Sequence, residues 1–349
     1  MDHRVIVRRI RLFRFSLPLR RSIRVGRRTI ARRDGVLLQL EDETGRYGYG
    51  EAAPLPGLHP ETPEACVREL REIRARLIGQ SFESASDLEK WASALHPASR
   101  FALDAALTQL MFALNSSGKN RVAVNALITG KGDEMLAQAQ KAVAEGYRSL
   151  KIKVGRDSLE EELKMIRAIL RETPSAVKLR LDANRSWTPD QAQSLEVLPA
   201  ERIDYVEEPL QNLSGLEAFY RRTGLAIALD ESLRTPEAER YLTFDGVKAL
   251  VLKPTVLGGF SSVQKWAHLG QEKGKMLVLS DTFSSGIGVH TLGFWAILLH
   301  LQKNAHGLDT YRFLAEDVLT SPLRFFAGEL WVGLPLSKAQ IDWEKMEEL

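Results

Sequence analysis

Five charged residues stand at regular intervals in the middle of the chain: Lys153, Asp182, Glu207, Asp230 and Lys253. The steps between them are 29, 25, 23 and 23 residues. Each step is about the length of one strand plus one helix. Each of the five also follows a short apolar run: "SLKIK", "KLRLD", "DYVE", "AIALD" and "ALVLK". If those runs are parallel strands, all five side chains meet at one end of the sheet. Three carboxylates brought together in a partly buried site repel one another. A divalent hard cation relieves that repulsion, and all-oxygen ligation points to Mg²⁺. The competing reading is that each acid caps a helix or pairs with a lysine. It accounts for any one acid but not for three in register.

The two lysines flank the acids along the chain. In "SLKIKVG", Lys151 and Lys153 are two apart and share a face of the strand, while Ile152 and Val154 share the other. On a solvated edge strand such lysines would only discourage pairing. At the mouth of a barrel they gain chemistry. A nearby cation and partial burial lower a lysine pKa, and a neutral amine is a general base. Lys153 is then the expected base, with Lys151 beneath it adding positive charge that lowers its pKa further. A cation between two lysines suits removal of a proton next to a carboxylate.

The elements that position this set are legible from residue 121 onward. Apolar strands "VAVNALI", "SLKIKV", "KLRLDAN", "DYVEEP", "AIALDES", "ALVLKPT" and "MLVLSDT" alternate with helical patterns such as "EEELKMIRAILRE" and "SSVQKWAHLGQEKG". "GLD" at 307–309 is a weak eighth strand. Near-continuous apolar strands separated by helices mean a parallel sheet. About eight units in some 200 residues point to a closed, TIM-type β/α barrel, with an open doubly wound sheet as the alternative. The first ~95 residues read differently, as strands followed by helices, and form a separate α+β domain. There, "VLLQLEDETGRYGYGEAAP" reads as a hairpin turning at Thr44 and Gly45. "ETPEACVRELREIRARLIG" reads as a helix capped by Thr62, and a further helix covers residues 99–115.

Bulk properties narrow the class. The 349 residues carry a net charge of +3 and a single cysteine, Cys66, so no internal disulfide is possible and a cytoplasmic location is expected. No apolar run reaches the ~20 residues of a membrane helix, so no membrane partner is expected. Arginines crowd the first 35 residues, as in "RVIVRRIRLFRFSLPLRRSIRVGRRTIARRDG". A nucleic-acid-binding arm is the rival reading from another class. The preferred one is a β-hairpin with a basic loop, residues 16–29, that attracts a small anionic substrate, with no nucleic-acid partner. "GYGEAA" and "TGKGDE" imitate nucleotide loops but lack the helix start or the spacing these need.

The motifs "KIKVG", "RLDANRSW", "VEEP", "LDES" and "KPTVLGG", in this order, closely resemble the enolase superfamily, in the branch containing muconate cycloisomerase and o-succinylbenzoate synthase. The resemblance implies Asp182, Glu207 and Asp230 as ligands of one Mg²⁺ and Lys153 as acid/base, with Lys253 facing it across the substrate. It gives Glu208, Asn184 and Lys151 supporting places. It also implies an N-terminal cap, residues 1–98, completed by residues 311–349, over a barrel spanning 99–310. The basic loop and "GEAAPLPGLHP" (residues 50–60) would close over the ligand. "LRLDANRSWTP", "IALDESLR" and "GLDT" are most similar to the o-succinylbenzoate synthases of menaquinone biosynthesis. Those enzymes are lyases that dehydrate 2-succinyl-6-hydroxy-2,4-cyclohexadiene-1-carboxylate with syn geometry.

The chain departs from the family at "SDTFSSGIG", where Ser284 stands in place of an expected glutamate. Ser280, Ser285 and the Gly286 backbone are then the expected contacts for the succinyl carboxylate. Dipeptide epimerase, N-acylamino acid racemase and muconate cycloisomerase activities are the alternatives within the branch. A dipeptide epimerase would want an Asp-x-Asp pair at the eighth strand, where "LDTY" offers only Asp309.

Overall fold

A computed structural model describes residues 4–92, 94–112, 120–333 and 335–349. Its strands, in chain order, are β1 Val5–Val25, β2 Arg28–Asp42, β3 Tyr47–Ala52, β4 Ser81–Phe82, β5 Arg121–Ala123, β6 Ala126–Ile128, β7 Ser149–Lys153, β8 Lys178–Asp182, β9 Ile203–Glu207, β10 Ile227–Leu229, β11 Val247–Leu252, β12 Met276–Leu279, β13 Arg324–Phe326, β14 Glu329–Trp331 and β15 Met346–Glu348.

The N-terminal sheet is antiparallel, in the order β15-β1-β2-β3, with β4 also paired to β1. Alternation builds it: Val5, Val7, Ile10 and Leu12 are buried while arginines between them face outward. The residues expected to form a basic loop at 16–29 are mostly paired strand instead. β1 and β2 stay in register to Val25–Arg28, with a shift between Pro18 and Ile23. Only Ile23, Arg24 and Val25 alternate there, and it is pairing with β2 that keeps the segment in strand. Thr62 caps the helix Pro63–Leu77 by accepting the Ala65 N–H. The next long helix is Pro97–Met111; residues 113–115 of the expected helix lie outside the described residues. β3 lies against this helix so closely that only glycine fits. A Cβ on Gly48 would meet the Ala106 carbonyl oxygen at 2.0 Å, and one on Gly50 the Ala102 oxygen at 1.9 Å. The "GYGEAA" glycines therefore serve packing.

The second sheet is wholly parallel, in the order β12-β11-β10-β9-β8-β7-β6. Outward side chains such as Leu150, Leu179, Val206, Leu229 and Leu250 join the main apolar core under the surrounding helices. Inward ones, Tyr205, Ala228, Ala249, Val251 and Val278, form a separate interior cluster. The weak eighth strand is only a bridge. His306 pairs with Val124 and Gly307 with Ser280, which joins β12 back to the segment before β6 and curls the sheet into a barrel. His306 secures this seam: its Nδ1 accepts the Leu279 N–H at 2.8 Å and its Nε2 meets the Leu301 carbonyl at 3.0 Å. The expected first strand, "VAVNALI", is broken into β5 and β6, because β5 pairs antiparallel with β14 of a C-terminal hairpin. At the other end of the N-terminal sheet, β15 pairs antiparallel with β1. No helix among the described residues is long and apolar enough to cross a membrane.

Candidate active site

Register aligns the charged residues. Lys153, Asp182 and Glu207 are successive Cα partners across β7, β8 and β9. Asp230 and Lys253 each follow the last residue of their strands, β10 and β11. The connections leaving these ends are tight: Asn184, Arg185 and Glu208 all have positive φ, at 45°, 62° and 43°. Such left-handed backbone costs about 1–3 kcal/mol in a residue other than glycine and collects at functional sites.

The carboxylates lie deep. Asp182 and Glu207 are fully buried and Asp230 nearly so. Lys151 donates to both Glu207 oxygens at 2.8 Å and lies 2.8 Å from Asp182 Oδ2. Lys153 donates to Asp182 Oδ2 at 2.5 Å and to Asn184 Oδ1 at 2.9 Å. Lys253 donates to Asp230 Oδ2. Glu208 turns away from these groups. It accepts the backbone N–H of Asp230 and of Ser232, the Ser232 hydroxyl and Arg185, and so holds the Asp230 turn.

These contacts set the charge of Lys151 and Lys253. Burial pulls the Lys151 ammonium down, but attraction from Asp182 and Glu207 outweighs it, and its pKa ends well above the ordinary lysine value. Lys253 follows the same logic: burial lowers it, Asp230 and Glu231 raise it more, and the net direction is up. Lys151 is therefore first a counter-ion to the acids. Asp182, buried but faced by Lys151 and Lys153, is held well below the usual carboxylate range. Glu207 is the acid left over. Burial and repulsion from Asp182 and Asp230 push it up despite Lys151.

That imbalance tests whether the residues suit a cation. Among the described residues no three His, Cys, Asp or Glu side chains form a ready-made metal cage. The expected convergence of three carboxylates thus holds for the strand ends, while their oxygens turn onto ammonium groups. The donor set is nonetheless the one a divalent hard ion takes, all oxygen and anionic. Glu207, pushed up by two acidic neighbours, is the group that added positive charge would relieve. The residues fit Mg²⁺ on that ground.

Above the acids opens a cavity of about 550 Å³, whose wall includes Lys151, Lys153, Asn184, Lys253 and Ser280. The hairpin β1–β2 supplies Arg21 and Arg24, and residues 50–60 supply Leu55, Gly57 and Leu58. Ser285 and Gly286 are absent from this wall. The Ser285 N–H and hydroxyl bond to Glu51, and the Gly286 N–H bonds to Asp317. Their donors are engaged elsewhere, so the expectation that they receive a substrate carboxylate is corrected. Asp309 is on the wall, but accepts from the Leu127 N–H and Tyr147 and lies 3.1 Å from Arg312. Residues missed from the sequence include Glu231, Arg156, Phe283 and Phe313. Only Glu231 had a signal, its place directly after Asp230 in "LDES".

A curled parallel barrel with acids and lysines at its strand ends, under an antiparallel-sheet cap, defines a β/α-barrel enzyme. Comparison with known proteins agrees. The family model "Enolase C-terminal domain-like" matches residues 134–334, and "MenC, N-terminal domain" matches residues 7–110. The o-succinylbenzoate synthase of Klebsiella pneumoniae (strain 342) is 32% identical over 88% of this chain and 92% of its own length. Protein PHYLLO, chloroplastic, of Arabidopsis thaliana is 32% identical over 84% of this chain, which spans only 20% of that protein. Among solved structures, a muconate lactonizing enzyme from Pseudomonas fluorescens complexed with muconolactone superposes with a TM-score of 0.82 at 21% identity, covering 98% of each chain. A dipeptide epimerase from Enterococcus faecalis V583, complexed with Mg and the dipeptide L-Leu-L-Tyr, superposes with a TM-score of 0.81 at 24% identity, covering 96% of this chain and 98% of that one. At these identities the two structures speak to the fold alone. The chain belongs to the enolase superfamily, alongside the o-succinylbenzoate synthases.

Proposed function

We propose that this chain is an o-succinylbenzoate synthase. It dehydrates 2-succinyl-6-hydroxy-2,4-cyclohexadiene-1-carboxylate to 2-succinylbenzoate in menaquinone biosynthesis, with Mg²⁺. The observation that carries the reading is the 32% identity to a synthase over nearly the full length of both chains. The site supports it. Asp182, Glu207 and Asp230 would hold the Mg²⁺, which when bound supplies positive charge beside the substrate carboxylate. Lys153, as the neutral amine, takes the proton from the ring carbon bearing that carboxylate. The C–H electron pair moves into the ring as negative charge spreads onto the carboxylate, and the Lys253 ammonium offsets that charge from its own strand end. The C–O bond then breaks, Lys153 returns its proton to the departing hydroxyl, and water leaves with an aromatic ring formed. Asn184 Oδ1 holds Lys153 in place. The small anionic substrate enters beneath Arg21 and Arg24 of the hairpin.

The dipeptide-epimerase alternative lacks support at the eighth segment. Asp309 has no second acid two residues on, and its oxygens are already engaged. An absorbance assay of purified protein tests the reading, with the cyclohexadiene substrate and with a panel of dipeptides and N-acylamino acids, each with Mg²⁺ and with chelator. Mg²⁺-dependent formation of 2-succinylbenzoate is expected. Turnover of dipeptides or N-acylamino acids alone would overturn it.

A further inference from the structure

Two buried ionisable side chains that take no part in the proposed reaction lie between the cap sheet and the cavity. Arg33, on β2, and Glu51, on β3, are each only 1% exposed. Neither is matched to the other as a simple ion pair. Both reach the turn at residues 281–285, directly after β12. Arg33 Nε donates to the Phe283 carbonyl at 3.0 Å, while its two other nitrogens donate to the carbonyls of Pro54 and Ala53. Glu51 accepts the Ser285 N–H at 3.1 and 3.2 Å on its two oxygens and also the Ser285 hydroxyl.

The residue whose carbonyl takes the first of these attachments is strained. Phe283 has φ of +60°, the left-handed region that a bulky side chain rarely enters. Its ring lines the cavity and stands edge-on to the Phe313 ring, 5.5 Å away at 89°. Phe313 in turn lies under the Arg21 guanidinium at 5.1 Å. A strained residue persists only where its surroundings enforce it. Burying a guanidinium and a carboxyl is costly, and apolar residues would serve the fold alone as well or better. Here both groups grip the turn, Arg33 at the Phe283 carbonyl and Glu51 at Ser285 two residues on.

We propose that Arg33 and Glu51 are positioning residues that hold Phe283 in its left-handed conformation, making its ring, edge-on to Phe313, the wall against which a substrate ring packs. The device couples the cap to ligand fit without touching the reacting atoms. The identity of the ligand rests on the function proposed above; the clamp itself does not.

The test uses the full chain with four variants: Glu51→Ala, Glu51→Gln, Phe283→Ala and the double variant Glu51→Ala/Phe283→Ala. Loss of one buried hydrogen-bonding group should raise KM for the cyclohexadiene substrate and Kd for 2-succinylbenzoate by about tenfold, with kcat within about threefold. Glu51→Gln keeps an acceptor for the Ser285 N–H and should recover most of the loss. With the Phe283 ring removed, Glu51→Ala should add less than about twofold, because the two act as one unit. Hydrogen exchange supplies a readout independent of any substrate. In Glu51→Ala, peptides covering 281–287 should exchange faster while those covering 149–155 stay at the wild-type rate. Phe283→Ala keeps both clamp residues and tests the wall even if Glu51→Ala folds poorly. Additive effects of Glu51→Ala and Phe283→Ala would overturn the proposal, as would unchanged exchange at 281–287 or an unchanged Kd in Phe283→Ala. If wild type neither turns over the cyclohexadiene nor binds 2-succinylbenzoate, the functional reading fails, and the exchange arm still decides the clamp.

Discussion

Two buried charged groups of residues border the cavity, and they are built on different partners. On the barrel side, Lys151, Lys153 and Lys253 meet Asp182, Glu207 and Asp230, side chain to side chain. On the cap side, Arg33 and Glu51 mainly meet the peptide backbone of residues 53, 54, 283 and 285. Side-chain pairs can be exchanged: a lysine can swing off its carboxylate and a cation can take its place. Backbone contacts cannot be exchanged without moving the chain. The first arrangement suits chemistry in which charges and protons change hands. The second suits a frame that must stay still while they do.

The contrast breaks most visibly at Lys153. Lys153→Ala should lower kcat by about 10³-fold, the effect expected for loss of a general base, while calorimetric Mg²⁺ affinity stays within about threefold. Retention of full turnover would remove Lys153 from the mechanism. Asp230→Asn should do the reverse, weakening Mg²⁺ binding by about 100-fold in the same titration, since one charge at contact distance is worth several kcal/mol in a partly buried site. Unchanged affinity would place the ion elsewhere.

The cap side should break by steric conflict. Gly50→Ala drives a methyl group into the Ala102 carbonyl, and denaturant unfolding should show a loss of about 2–3 kcal/mol. A fully stable variant would mean that β3 and the helix Pro97–Met111 separate easily. The seam that closes the barrel tests a buried neutral group. Burial depresses His306 from 6.5 to about 4. Below pH 6.5 the unfolded chain binds a proton that the folded chain refuses, so stability falls as pH drops from 6.5 towards 4 and levels off below. By pH 5 the His306 contribution should be about 2 kcal/mol. Urea unfolding at pH 7 and pH 5 should show that share missing in His306→Gln; an equal pH dependence in both proteins would contradict it.

Which parts could be read from the sequence follows from the same difference. Charged residues that end strands repeat at the spacing of a strand plus a helix, so Lys153, Asp182, Glu207, Asp230 and Lys253 stand out along the chain. The helix capped by Thr62 carries its own local signal. Contacts that depend on which distant backbone lies opposite have no such spacing. Glu51 meets Ser285 across 234 residues, which is why Ser285 looked available to a substrate. Lys151 reads as a like-charge neighbour of Lys153 because the chain order hides that Asp182 and Glu207 lie within its reach. The basic segment at 16–29 reads as a loop by charge but continues the β1–β2 pairing to Val25 and Arg28.

If Asp182, Glu207 and Asp230 grip one divalent ion between Lys153 and Lys253, anomalous diffraction from crystals grown with Mn²⁺ should show it. A single strong peak is expected within bonding distance of oxygens from Asp182, Glu207 and Asp230, with Lys153 and Lys253 released from those carboxylates on opposite sides of the cavity. A protein that binds no ion there, or a peak that touches fewer than two of the three acids, would contradict it.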